Sequence, residues 1–139
     1  MSPGSPGSSA VPVVFLYAGA LGLVFAGLSL RTLLLRRRLR IPIGDASNPV
    51  MLRAMRVHAN FAEYAPISLL LLFLVEKSGA PPASVHALGI SILAGRLLHA
   101  YGVSQVREPY AFRVAGMALT LAPIITAATR LLVSYAAGI

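Results

Sequence analysis

AVPVVFLYAGALGLVFAGLSL, residues 10–30, contains no charged side chain. Coiled as an α-helix at ~1.5 Å per residue, such a run crosses a hydrocarbon core of about 30 Å. No lysine or arginine precedes Arg31, so the positive flank of a cleavable signal peptide is missing and the segment is expected to stay in the mature chain. Leu33, Leu34 and Leu35 lengthen it, which predicts a first helix over about residues 10–35. The nine residues before it, MSPGSPGSS, are small and uncharged and read as a flexible tail, residues 1–9.

Three further apolar segments follow, and they predict helices over about 50–75, 83–103 and 112–137. The second is polar in its first half and ends at Glu76-Lys77-Ser78-Gly79-Ala80-Pro81-Pro82, a turn by composition. The third gives way to a polar loop over 104–109, and Pro123 predicts a mild kink in the fourth, of a kind membrane helices tolerate. No alternation of period two stands out, which argues against a β-barrel. Residues 10–139 therefore read as one all-α domain, a four-transmembrane-helix bundle running up-down-up-down.

Composition agrees. Charged residues make up 12% of the chain, hydrophobic residues 57%, and the mean hydropathy is +0.78; a soluble domain carries about 25% charge. The net charge is +8, with Lys77 the only lysine among the twelve basic residues. Beside such long apolar runs this balance reads as juxtamembrane arginines meeting anionic lipid, with no nucleic-acid role. There is no cysteine, hence no disulfide, no thiolate metal site and no protein thiol nucleophile; sulfur chemistry would need a small-molecule thiol. The histidines, His58, His86 and His99, have no pairing that suggests a metal.

The arginines also set direction. Arg31, Arg36, Arg37, Arg38, Arg40, Arg53 and Arg56 lie in or beside the first connection, Arg107 and Arg113 flank the third, and the second holds only Lys77. Positive-inside bias places the first and third connections in the cytoplasm and both termini in the periplasm of an inner-membrane protein.

The chemistry is concentrated in RAMRVHANFAEYAP, residues 53–66. Arg53, Arg56, Asn60 and Glu63 are three, four and three apart, which stacks them on one helical face. Charge facing lipid is expensive, so the stripe must face protein or a water-filled cavity. Two readings fit the spacing. One is a structural network in which Glu63 pairs with an arginine and Asn60 bridges helices. The other is a site for a zwitterionic ligand, with arginine forks for carboxylates and Glu63 for an ammonium.

Arg56-x-x-x-Asn60-x-x-Glu63-Tyr64-x-Pro66 resembles the second-helix signature of the MAPEG superfamily, the membrane-associated proteins of eicosanoid and glutathione metabolism. Gly95-Arg96-Leu97-Leu98-His99, the arginine-rich first connection and an arginine opening the fourth helix resemble that family too, with its short bacterial branch the nearest in kind. The resemblance covers nearly the whole chain after the tail. It implies a homotrimer with glutathione as co-substrate, no metal, and a site between neighbouring subunits near the cytoplasmic side. By matching position it implies glutathione contacts from Arg56, Asn60, Glu63 and Tyr64, with His58, His99 and Arg36 as further candidates and Arg113 as the catalytic arginine facing the thiol. Val103 and Met117 stand where members often carry an aromatic residue or a tyrosine.

The remaining residues have plainer readings. Arg37, Arg38 and Arg40 read as a solvated topology signal, and His86 as interfacial. Arg96 reads equally as an interhelical partner or a ligand contact. Three functions stay open at this point: a membrane-bound glutathione-dependent transferase or peroxidase acting on lipophilic electrophiles, a non-enzymatic lipid-binding or scaffold member of the same fold, and a small proton-coupled multidrug transporter. Against the transporter, Arg56 and Asn60 share the face of Glu63 and suit ligand binding better than proton release.

Overall fold

The computed structural model describes residues 11–107 and 109–138. They form α1 (Val13–Leu39), α2 (Pro49–Lys77), α3 (Pro82–Ser104) and α4 (Tyr110–Ala137), with no strand among the described residues. The expected tail, 1–9, lies outside them. All four helices are long and apolar enough to cross a membrane. Successive helices pack side by side; α2 also meets α4 and α1 meets α3, while α1 and α4 do not pack on each other among the described residues. Leu23, Ile125 and Leu132 are 77%, 63% and 69% exposed, which suits side chains whose solvent is lipid.

Two helix ends depart from expectation for physical reasons. α1 runs on through Leu39, past the expected end at 35, because charge does not stop a helix. Arg36, Arg37 and Arg38 fill its last turn, where cations oppose the negative end of the macrodipole, and Arg40 closes it in the left-handed region at φ 56°. α2 likewise continues through Glu76 and Lys77, which the sequence reads as turn. The Glu76 carboxylate accepts from the backbone N–H groups of Val13 at 2.5 Å and Val14 at 3.0 Å. Pro12 offers no side-chain cap, so a carboxylate from another helix satisfies the free donors opening α1. α4 passes unbroken through Pro123, which is buried.

α3 and α4 approach closely because glycines face each other. A Cβ on Gly116 would stand 2.5 Å from the His99 nitrogen, and one on Gly95 2.7 Å from Thr120 Oγ1 and 2.8 Å from the Gly116 carbonyl oxygen. These neighbours are mostly backbone and cannot swing aside. Gly116→Ala is therefore expected to destabilise the bundle by about 1–3 kcal/mol through overpacking. Gly22, with nothing within 4 Å of its Cβ position, is the control; Gly22→Ala should be neutral or stabilising. Thermal unfolding in detergent compares the two, and equal midpoints would refute the close approach.

Candidate functional site

α2 begins so as to present its polar face. Asn48 Oδ1 accepts from the backbone N–H groups of Val50 at 3.0 Å and Met51 at 3.1 Å, and Pro49 occupies the first turn, where its missing donor is not needed. From that start the three-and-four spacing carries Arg53, Arg56, Asn60 and Glu63 down one side. They line a cleft of about 430 Å³ whose other walls include His99 and Val103 of α3 and Arg113 of α4. The cleft follows α2 from Pro49 to Glu63, about 21 Å at 1.5 Å per residue, and so reaches mid-helix.

Arg56, Glu63 and Arg113 are exposed, Arg53 and Asn60 half-buried, and His99 only 6% exposed. Arg53 Nη1 donates to the Val103 carbonyl at 3.1 Å, and Arg31 Nη1 donates to Ser104 Oγ at 2.7 Å. Both guanidiniums thereby clamp the carboxyl end of α3, where the macrodipole favours cations. The Arg113 guanidinium lies 5.9 Å from the Tyr110 ring centroid, at the mouth of the cleft. Three arginines and one glutamate among the lining residues give the cleft a positive excess.

Behind this wall is a buried polar core. Arg96 is 1% exposed. Its Nε donates to Thr120 Oγ1 at 3.0 Å, Nη1 to Asn60 Oδ1 at 2.7 Å, and Nη2 to Met117 Sδ at 3.5 Å. The Tyr64 ring lies under the guanidinium at 5.1 Å. Among the described residues no carboxylate pairs with this arginine.

Of the expected site residues, the structure thus brings Arg56, Asn60, Glu63, His99 and Arg113 into one cleft and leaves three outside its walls. Tyr64 stacks on Arg96. His58 faces α1, with Nε2 3.0 Å from Ser29 Oγ and its ring stacked 5.0 Å from Phe25. The Ser29 hydroxyl donates to the Phe25 carbonyl at 2.9 Å, so His58 Nε2–H is the donor to Ser29. Arg36 Nη1 donates to the carbonyls of Ile41 at 3.4 Å and Gly44 at 3.0 Å and so holds the first connection. His86, expected to be interfacial, is half-buried with Nδ1 2.9 Å from the Tyr17 hydroxyl. Arg53, read in the sequence as part of the polar stripe, lines the cleft with the rest of it, as does Val103; the sequence does not assign Thr120 to the core behind it. It leaves Arg96 open between two roles, of which the structure shows the interhelical one.

A four-helix membrane bundle with a cationic cleft at its arginine-rich end defines the class. The chain matches the MAPEG family model over residues 14–133 and belongs to that family, a membrane protein of the superfamily concerned with glutathione and eicosanoid metabolism. It is 36% identical over 105 residues to the inner membrane protein YecN of Escherichia coli strain K12, covering 76% of this chain and 79% of that protein. The YecN of Escherichia coli O6:H1 gives the same figures. No solved structure matches the chain.

Proposed function

We propose that this protein is a glutathione-dependent transferase or peroxidase that attacks lipophilic electrophiles from within the inner membrane. The observation that carries the reading is the cleft itself, where Arg53, Arg56, Asn60 and Glu63 of α2 face Arg113 of α4 across about 430 Å³. That volume suits a small-molecule site, typically about 300–1,000 Å³. The charge pattern asks for a ligand with more anionic than cationic groups, yet with one ammonium for Glu63. Glutathione as its thiolate has two carboxylates, one sulfur anion and one ammonium. Arg113 stabilises the sulfur anion, which attacks the electrophilic carbon; a C–S bond forms as the leaving group departs with its electron pair.

The same charges support a homotrimer. Glu63 is exposed at the middle of α2, and an acidic side chain at the bilayer centre costs about 2.5–3.5 kcal/mol or more when it meets lipid. A neighbouring copy covers it. Native mass spectrometry in detergent is expected to show three copies, and a dominant monomer would remove this support. The inner-membrane location follows the relative's name, and the arginine-rich end faces the cytoplasm by its charge.

Calorimetry of the purified protein against glutathione and an S-alkyl conjugate tests the function, with saturable binding of both expected. No binding of either would favour the lipid-binding or scaffold reading, which Val103 and Met117 support by standing where members often carry an aromatic residue or a tyrosine. Membership of this family supports the glutathione reading over the transporter.

A further inference from the structure

A guanidinium has five N–H donors and no acceptor. Arg96 Nη1 lies 2.7 Å from the Asn60 side chain, so the amide must turn its oxygen inward, and its NH2 group points the other way. Asn60 lines the cleft, and no partner for its NH2 group is found among the described residues.

Arg96 is itself fixed from behind. The Thr120 hydroxyl donates to the Gly116 carbonyl at 2.8 Å, which spends its hydrogen and leaves a lone pair for Arg96 Nε–H at 3.0 Å. The donors therefore run in one direction, with Thr120 giving to Gly116 and Arg96 giving to both Thr120 and Asn60. Gly95 and Gly116 make the arrangement possible by letting α3 and α4 close to where Thr120 meets Arg96. Hydrogen bonds in such a chain polarise one another. With the Tyr64 ring beneath it, the guanidinium has little room to move.

We infer that Arg96 is a positioning residue for ligand specificity: it locks the Asn60 amide so that the cleft presents a donor there and takes a carboxylate oxygen of the bound thiol. The inference rests on the proposed glutathione reading and adds a direction to it. Glu63, one turn further along α2, takes the ammonium. The acceptor sits one turn nearer the arginine-rich end. An ammonium at Asn60 would face an NH2 group and be rejected, so the ligand enters in one orientation.

The test separates the lock from the ligand. Asn60→Asp keeps an oxygen for Arg96 and removes the NH2 donor; Asn60→Leu removes both. Without ligand, the thermal midpoint of Asn60→Asp should equal or exceed the wild type, because Arg96 gains a carboxylate, and Asn60→Leu should fall by several degrees. An Asn60→Asp midpoint as low as that of Asn60→Leu overturns the lock. With glutathione, Asn60→Asp should bind at least about tenfold more weakly, and unchanged affinity overturns the donor role. Glutathione analogues with each carboxylate in turn made a carboxamide give the specificity readout. Wild type should discriminate against one of them, Arg96→Gln should lose that discrimination, and Arg96→Lys should restore part of it by keeping a donor for the Asn60 oxygen. Discrimination kept in Arg96→Gln overturns the role of Arg96. If Arg96→Gln does not fold, the Asn60 variants and Arg96→Lys decide alone. A wild type that ignores glutathione while Asn60→Asp keeps its midpoint refutes the proposed function and upholds the lock.

Discussion

Arg113→Ala is expected to bind glutathione within a few-fold of wild type and to lose most of the bound thiolate at neutral pH. A free thiol has a pKa of ~8.5 and is only about 3% ionised at pH 7; a neighbouring guanidinium that brings it to about 6.5 makes roughly three-quarters of it ionised. Losing that neighbour restores the solution value, so the thiolate fraction falls about 25-fold, equivalent to about 1.9 kcal/mol. The rate with an aryl-halide electrophile should fall by somewhat less, since a thiolate of higher pKa is intrinsically the better nucleophile. The sign with pH is definite. Wild-type rate should level off above pH ~6.5, whereas the variant should keep rising until about pH 8.5. Ultraviolet absorbance of the bound thiolate, titrated against pH, reads the same shift without turnover. Arg113→Lys should recover part of the rate, because it keeps the charge and loses the planar fork. An unshifted thiol in the wild-type complex would deny Arg113 its catalytic role and leave a binding protein.

The dimensions of the bilayer explain why the helices are legible in the sequence. A chain with 12% charge and four long apolar runs has few other ways to satisfy its backbone in lipid. The ends are less legible, because hydropathy marks where lipid contact stops and the helix ends only where its backbone is capped. Arg36, Arg37 and Arg38 look like a boundary but sit inside α1, which ends at the left-handed Arg40. Glu76 looks like a turn residue but stays helical, and its carboxylate grips the start of α1 some sixty residues earlier, a contact absent from local composition.

The candidate site divides in the same way. Arg56, Asn60 and Glu63 are legible as one face because helical periodicity alone aligns them. His58 lies two residues from both Arg56 and Asn60, about 200° around the helix, and turns to Ser29 and Phe25 of α1. Arg96 is legible in the sequence as part of Gly95-Arg96-Leu97-Leu98-His99, open between an interhelical partner and a ligand contact. Its role depends on how closely α3 meets α4, and thus on Gly95 and Gly116, whose facing positions appear only once the two helices are side by side. Asn60 serves both readings of the stripe at once: it bridges to Arg96 and lines the cleft.

Glu63→Gln combined with Arg56→Ala should produce the largest loss of affinity. Each change removes one charge-assisted contact, worth about 1.5–3 kcal/mol and so roughly 10- to 150-fold in affinity. The two residues are seven apart, about 10 Å along α2, and would hold different ends of the ligand, so their effects should nearly add. The double variant is then expected to bind glutathione roughly 10²- to 10⁴-fold more weakly by calorimetry. A ligand change isolates the contribution of Glu63. A glutathione analogue without the α-amino group should bind wild type more weakly than glutathione does, and Glu63→Gln should bind the two alike. Stability should move in the opposite direction, which separates binding from assembly. Glu63 is a carboxylate exposed at the middle of α2, and neutralising it lowers the cost of any contact with lipid. Glu63→Gln should therefore keep the oligomer and match or exceed the wild-type thermal midpoint while losing ligand. If it instead binds normally and falls apart into single chains, Glu63 is a structural partner at the subunit boundary, and the ammonium site must be sought elsewhere in the cleft.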